Sequence, residues 1–125
     1  MLYTVRGLDE SAKGVTVRVR VVSKGSVRTV KTKSDGQEHQ VVDLRVGDWT
    51  GMTTLTLWDE QVDRVNEDDL VDIENGYVTR FKGRLGLNVG KFGRVENVED
   101  STFPSGEELR RRHPRWRGRA GKVTG

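Results

Sequence analysis

Cysteine is absent from this 125-residue chain, so it forms no disulfide and no thiolate metal site. Proline occurs twice, at Pro104 and Pro114, which leaves everything before residue 104 free to pair through backbone N–H groups. Aromatic residues make up only 6% of the chain. No apolar run approaches the length of a membrane-spanning helix, and the opening residues MLYTVRGLDESAKG lack a signal-peptide stretch. An intracellular, cytoplasmic protein is the expectation. His39 and His113 stand alone in the sequence, and no motif supplies a nucleophile with its base. Catalysis, metal and cofactor are therefore not expected.

What the chain has is glycine, valine and charge. Charged residues reach 33% and there are 15 glycines, a composition suited to short twisted strands under a polar surface. The net charge of +3 hides an asymmetry. Residues 109–125 carry Arg110, Arg111, Arg112, Arg115, Arg117, Arg119 and Lys122 with no acid. That leaves 15 basic against all 19 acidic residues in 1–108, a net of −4. An anion-binding surface on such a body has to come from local clustering.

Strict alternation begins at Gly14: Val15, Val17, Val19 and Val21 share one parity, Thr16, Arg18 and Arg20 the other. That is a half-buried strand. Polar residues 24–33 extend it or form a loop, and Ser34-Asp35-Gly36 reads as a turn. A second strand places Val42, Leu44 and Val46 inward, and Gly47-Asp48-Trp49-Thr50-Gly51 connects it tightly to a third, Met52 to Trp58, with Leu55 and Leu57 inward. Asp59 to Val65 predicts one or two helical turns with Asp59 as N-cap. A fourth strand starts at Leu70, and its inward parity switches across Asn75-Gly76, which requires a bulge. Phe81-Lys82-Gly83-Arg84 is a turn, Leu85, Leu87 and Val89 a fifth strand, and Gly90 to Gly93 a further turn before Val95 and Val98. Periodicity stops after Ser101. The pattern predicts an all-β, five-stranded Greek-key OB-fold barrel, with the helical segment between strands 3 and 4. A small SH3-like barrel is the alternative, but it leaves the fifth strand unexplained. The expected organisation is a domain over 1–100 and a flexible Arg-rich tail over 101–125.

Parity also sorts the aromatics. Trp58 falls opposite Leu55 and Leu57, and Tyr77 and Phe81 fall opposite Val78, so all three are expected outside the barrel. Basic residues lie among or near them: Arg80, Lys82 and Arg84, with Arg28, Lys31 and Lys33 on the first hairpin. Rings interleaved with positive charge suit a single-stranded nucleic acid, whose unpaired bases stack and whose phosphates release counterions. Other readings stay open: Trp58 as a barrel-end plug, Phe81 as a cap, Tyr77 as an edge residue. Trp49 reads as turn packing, Phe92 as packing in the last hairpin.

Several strings, in order and at matching spacing, resemble the simple single-stranded-DNA-binding proteins of archaea and their small single-OB eukaryotic relatives. They are Gly47-Asp48-Trp49-Thr50-Gly51, Leu55-Thr56-Leu57-Trp58, Val71-Asp72-Ile73-Glu74-Asn75-Gly76-Tyr77, and Phe81-Lys82-Gly83 with Leu85-Gly86-Leu87-Asn88-Val89-Gly90. The resemblance implies an archaeal source and a nucleoid-associated binder of single-stranded DNA acting in replication, recombination and repair. It also implies stacking on Trp58, Tyr77 and Phe81, phosphate contacts from nearby Lys and Arg, and replication or repair proteins as partners. Where some relatives carry a further aromatic on the fifth strand, this chain has Asn88. Archaeal relatives often end in an acidic tip, whereas no acid follows Glu108 here. Arg110, Arg111, Arg112, Arg115, Trp116 and Arg117 are expected to add electrostatic affinity. An RNA-binding OB module and a protein-interaction subunit are the alternatives, and the protein is expected as a monomer or assembling along DNA.

Overall fold

The computed structural model describes residues 2–114 apart from the side chains of Phe81 and Lys91, and among these residues are seven strands and one short α-helix. In chain order the strands are β1 (Leu2–Tyr3), β2 (Lys13–Lys24), β3 (Arg28–Lys31), β4 (Glu38–Asp48), β5 (Gly51–Trp58), β6 (Leu70–Phe81) and β7 (Arg84–Asn97), followed by α1 (Gly106–Arg112). Five of them close a barrel. β2 pairs with both β4 and β6, β4 with β5, β6 with β7, and a short parallel seam between β5 and β7 completes the ring. This is the expected OB-fold barrel. β3 extends it as a hairpin with β4, and β1 lies parallel along β2.

The alternating valines dictate the interior. Val15, Val17, Val19 and Val21 are fully buried, as are Val42, Val46, Leu55, Leu57, Ile73 and Leu87. Each such side chain contributes about 1.5–3 kcal/mol by leaving water, so one parity of each strand outweighs the charged parity facing out. A 3-10 helix, Asp59–Arg64, crosses between β5 and β6, and Val62 and Val65 are buried against the core. Asp59 is not its N-cap, in contrast to the expectation: the cap position is Trp58, with no side-chain bond. The Asp59 carboxylate turns to β4 instead, accepting from the backbone N–H of Gln40 at 3.1 Å.

Two further expectations are corrected. The bulge at Asn75-Gly76 is present, with Asn75 at a φ of 57°. The turn at Gly90–Gly93 is not, because β7 runs on to Asn97. Gly76 pairs with Val89 and Glu74 with Arg94, so residues 90–93 of β7 stand opposite Asn75 alone. Gly93 permits this by close approach rather than by turning: a Cβ there would lie 3.0 Å from the carbonyl oxygens of Asn75 and Glu74. Phe92, expected to pack, is 82% exposed.

The second correction concerns residues 101–114, expected as tail. The outward arginines of β2 hold this segment. Arg18 forks onto Asp72 (2.6 and 2.9 Å) and reaches Asp100 at 3.2 Å, and Arg20 donates to the carbonyls of Pro104 and Asp68. Phe103 is buried against Trp49, with ring centroids 4.6 Å apart. Ser105 caps α1 by accepting from the Glu108 N–H, and Leu109 is fully buried. The packed body thus extends well past residue 100. Among the described residues no helix is long and apolar enough to cross a membrane.

Candidate nucleic-acid interface

The β5–β7 seam is the floor of the main groove, about 590 Å³ in volume. Thr54 pairs with Gly86 and Thr56 with Asn88, and all four line it. Arg28 and Val30 of β3 form one wall; Arg80, Arg84 and Leu85, beside the β6–β7 turn, form the other. Lys82 and Gly83 both have positive φ (52° and 80°), a tight two-residue hairpin that brings Arg80 and Arg84 together at the groove edge.

Trp58 closes β5 and opens onto the groove, because it shares parity with Thr54 and Thr56 while Leu55 and Leu57 fill the core. Its support is a residue that appeared isolated in the sequence. His39, on β4, makes a T-shaped contact with Trp58, the ring centroids 5.8 Å apart. The imidazole is held between Asp59 (Nδ1 to Oδ2, 2.8 Å) and Asp35 (Nε2 to Oδ2, 2.9 Å). The hydrogen bond His39 donates to Asp59, then that to Asp35, raises its pKa above the ordinary value. Asp59 is lowered, chiefly by His39. Asp35 is drawn down to about 2 by the Thr32 hydroxyl first, then by the Gln37 N–H and His39.

Tyr77 stands on the same face through cross-strand register, paired with Asn88, and is 41% exposed. Asn88 lines the floor and donates to the Thr79 hydroxyl at 2.9 Å. Gly90 lies against the Tyr77 ring; a Cβ there would meet Tyr77 Cε1 at 3.2 Å. The missing side chain lets the ring lie close against β7. Phe81 ends β6, its backbone paired with Arg84; its side chain lies outside the described residues. On the other flank of Tyr77, β2 pairs Lys13 with it, which places an exposed cation beside the ring. Sequence reasoning missed both Lys13 and His39. Only strand register brings them to the aromatics, and no local pattern encodes register between distant segments.

The basic candidates separate into groups. Arg28, Arg80 and Arg84 line the groove. Arg28 pairs with Asp43 at 3.3 Å, and Arg80 with Glu10 at 2.9 Å. Lys82 sits in the turn between Arg80 and Arg84. Lys31 takes the opposite parity to Arg28 and Val30 on β3, and Lys33 lies in the turn beyond it; both are exposed and neither lines the groove. Arg110, Arg111 and Arg112 are on α1, away from the rings, and are engaged with Glu67, Glu107 and Glu108. Arg110 also donates to the Val22 carbonyl at 2.6 Å. Arg115, Trp116 and Arg117 lie outside the described residues.

One buried acid ties the groove end to the N-terminal segment. Asp48 accepts from the N–H groups of Val5 (2.9 Å) and Thr50 (2.8 Å) and from the Thr50 hydroxyl (2.6 Å). This is the physical content of the Gly47–Gly51 string. An Asp and a Thr two residues apart satisfy the turn, and the spare oxygen anchors Val5, which lines the groove.

Residues 8–97 match the family described as single-stranded DNA binding protein Ssb-like, OB fold. The single-stranded DNA binding protein Ssb of Saccharolobus solfataricus is 31% identical over 105 residues, spanning 84% of this chain and 70% of that protein. The second OB-fold domain of replication protein A from Methanococcus maripaludis superposes with a TM-score of 0.67 at 27% identity, covering 80% of this chain and 97% of that one. A hypothetical protein from Arabidopsis thaliana gives a TM-score of 0.68 at 28% identity, covering 82% and 76%. With a barrel of this topology and a groove of this make-up, the chain belongs to the Ssb-like family of OB-fold single-stranded DNA binding proteins, a nucleic-acid-binding module.

Proposed function

We propose that the protein covers exposed single-stranded DNA in replication, recombination and repair. Bases stack on Trp58, Tyr77 and Phe81, and phosphates meet Arg28, Arg80, Lys82 and Arg84. The observation that carries this reading is the groove itself: Trp58 and Tyr77 line one floor, and Arg28, Arg80 and Arg84 line its walls. Stacking contributes about 1–3 kcal/mol per base and accepts any base, because every base has a π-face. The ion pairs that hold Arg28 and Arg80 are half-exposed, and such pairs contribute about 1 kcal/mol or less. Exchanging a carboxylate for a phosphate therefore costs little.

Fluorescence titration with poly-dT, poly-rU and duplex DNA at two salt concentrations tests the reading. Salt-sensitive quenching by poly-dT, with duplex far weaker, is the expected result. Equal or tighter binding of poly-rU would move the protein to the RNA-binding class. Absence of any response, together with unchanged affinity in Trp58→Ala, would leave the rings to a protein partner.

A further inference from the structure

Phe92 is the most exposed large hydrophobic side chain among the described residues, at 82%. A single exposed apolar residue is unremarkable on most surfaces. This one is held out by a built device. Asn75, in the left-handed region at a φ of 57°, donates its side-chain amide to the Phe92 carbonyl at 3.4 Å. Gly93 packs its bare Cα against the carbonyls of Asn75 and Glu74. Residues 90–93 therefore stand as an extra segment opposite Asn75, and Phe92 is the aromatic within it.

Register locates that segment relative to the rings. β5 and β7 run parallel with Thr54 beside Gly86 and Thr56 beside Asn88, and Trp58 lies two residues beyond the last of these pairs, toward the Gly90 end. Tyr77 pairs with Asn88 and Phe81 with Arg84. Along the groove the backbone order is thus Phe81, then Tyr77, then Trp58, and the segment that carries Phe92 lies at that last end. Phe92 is two residues from Gly90, which lies against the Tyr77 ring, and two residues span at most about 7 Å, so Phe92 stands within reach of a base next to the one on Tyr77. Lys13, paired with Tyr77, offers a cation on the opposite flank of that ring.

We propose that Phe92 is a fourth stacking side chain, which extends the path of the single strand beyond Trp58 and Tyr77 and enlarges the binding site at that end. The proposal rests on the single-strand reading above and names a residue that reading does not use.

Binding of the full chain to dT oligonucleotides of increasing length, from about 4 to about 16 nucleotides, separates the two. Phe92→Ala should bind the shortest oligonucleotides almost as wild type does and fall behind by about five- to 150-fold on the longer ones, with the salt slope unchanged. Phe92→Trp should restore affinity and add a quenched tryptophan signal. The side chain packs on nothing in the core, so these variants should keep the wild-type melting temperature. Length curves of Phe92→Ala and wild type that coincide throughout, while Trp58→Ala weakens binding at every length, would overturn the proposal and leave the platform intact. Unchanged binding in Trp58→Ala as well would overturn both.

Discussion

The rings of His39 and Trp58 meet in a T-shaped contact, their planes at 71°, and two carboxylates grip the imidazole from either side. The indole that faces the groove is thus positioned by a titrating residue. Because Asp59 directly follows Trp58, the same carboxylate that holds His39 also fixes the chain at the end of β5.

A pH dependence follows. The folded pKa of His39 is raised, by Asp59 first and Asp35 second. Its contribution is complete below the unfolded value of about 6.5 and is lost as pH rises through the folded value. Asp35 works in the other direction: its contribution is present above about 4 and is lost as pH falls toward about 2. Deprotonating His39 also leaves Asp35 and Asp59 less compensated beside the groove. Affinity for dT oligonucleotides should therefore weaken as pH rises through the His39 pKa, and His39→Gln should flatten that limb. NMR titration of the imidazole against a binding profile checks it; a limb that persists in the variant would refute the assignment.

Salt dependence counts the phosphates engaged. The four groove cations Arg28, Arg80, Lys82 and Arg84, at about 0.7 per single-strand contact, contribute about −3 to the slope of log K against log salt. Arg80→Ala should reduce the slope by about 0.7. An affinity loss with no change in slope would mean that Arg80 acts through Glu10 and the hairpin instead.

Truncation after Pro114 removes Arg115, Arg117, Arg119 and Lys122 while keeping α1. If these residues engage the strand, they add up to about −3 to the groove's own slope, and truncation should remove that increment. An identical slope in the truncated and full chains would show that they do not. A cut after Ser105 cannot test this, because it also strips Leu109 from its pocket.

Leu109→Ala measures how firmly α1 belongs to the body. Leu109 is fully buried but lies outside the main core cluster. The expected cost is toward the low end of the range for buried leucines, about 2–3 kcal/mol by urea denaturation. A loss below about 0.5 kcal/mol, typical of surface positions, would return residues 106–112 to the status of a loose tail.

Asp48→Ala should cost about 1–3 kcal/mol by leaving the Val5 and Thr50 N–H groups without their acceptor. Denaturation of the variant, with amide exchange at Val5, checks both the size and the place of the loss.

The barrel was legible because valines at strict period two leave no other packing, and the parity switch at Asn75-Gly76 marked a true bulge. Gly90–Gly93 misled because glycine serves close approach as well as turning, and only the neighbouring backbone of Asn75 distinguishes the two uses. The end of the body was misplaced because Phe103 and Leu109 are single apolar residues amid polar ones, too sparse for periodicity. One local signal was available: Ser105 followed three residues on by Glu108 is a helix-start pattern. At the groove, parity sorted Trp58 and Tyr77. Lys13 and His39 reach them across strands that nothing local connects.

The seam between β5 and β7 is the shortest closure in the ring, joined at Thr54, Leu55 and Thr56, and it is also the groove floor. Anything bound there spans the joint from both sides, like a strap over a hasp. Occupancy of the groove and the roundness of the barrel are then one property, so a ligand that fits should slow amide exchange at Leu55 and Leu87 beneath it more than at β2 on the far wall.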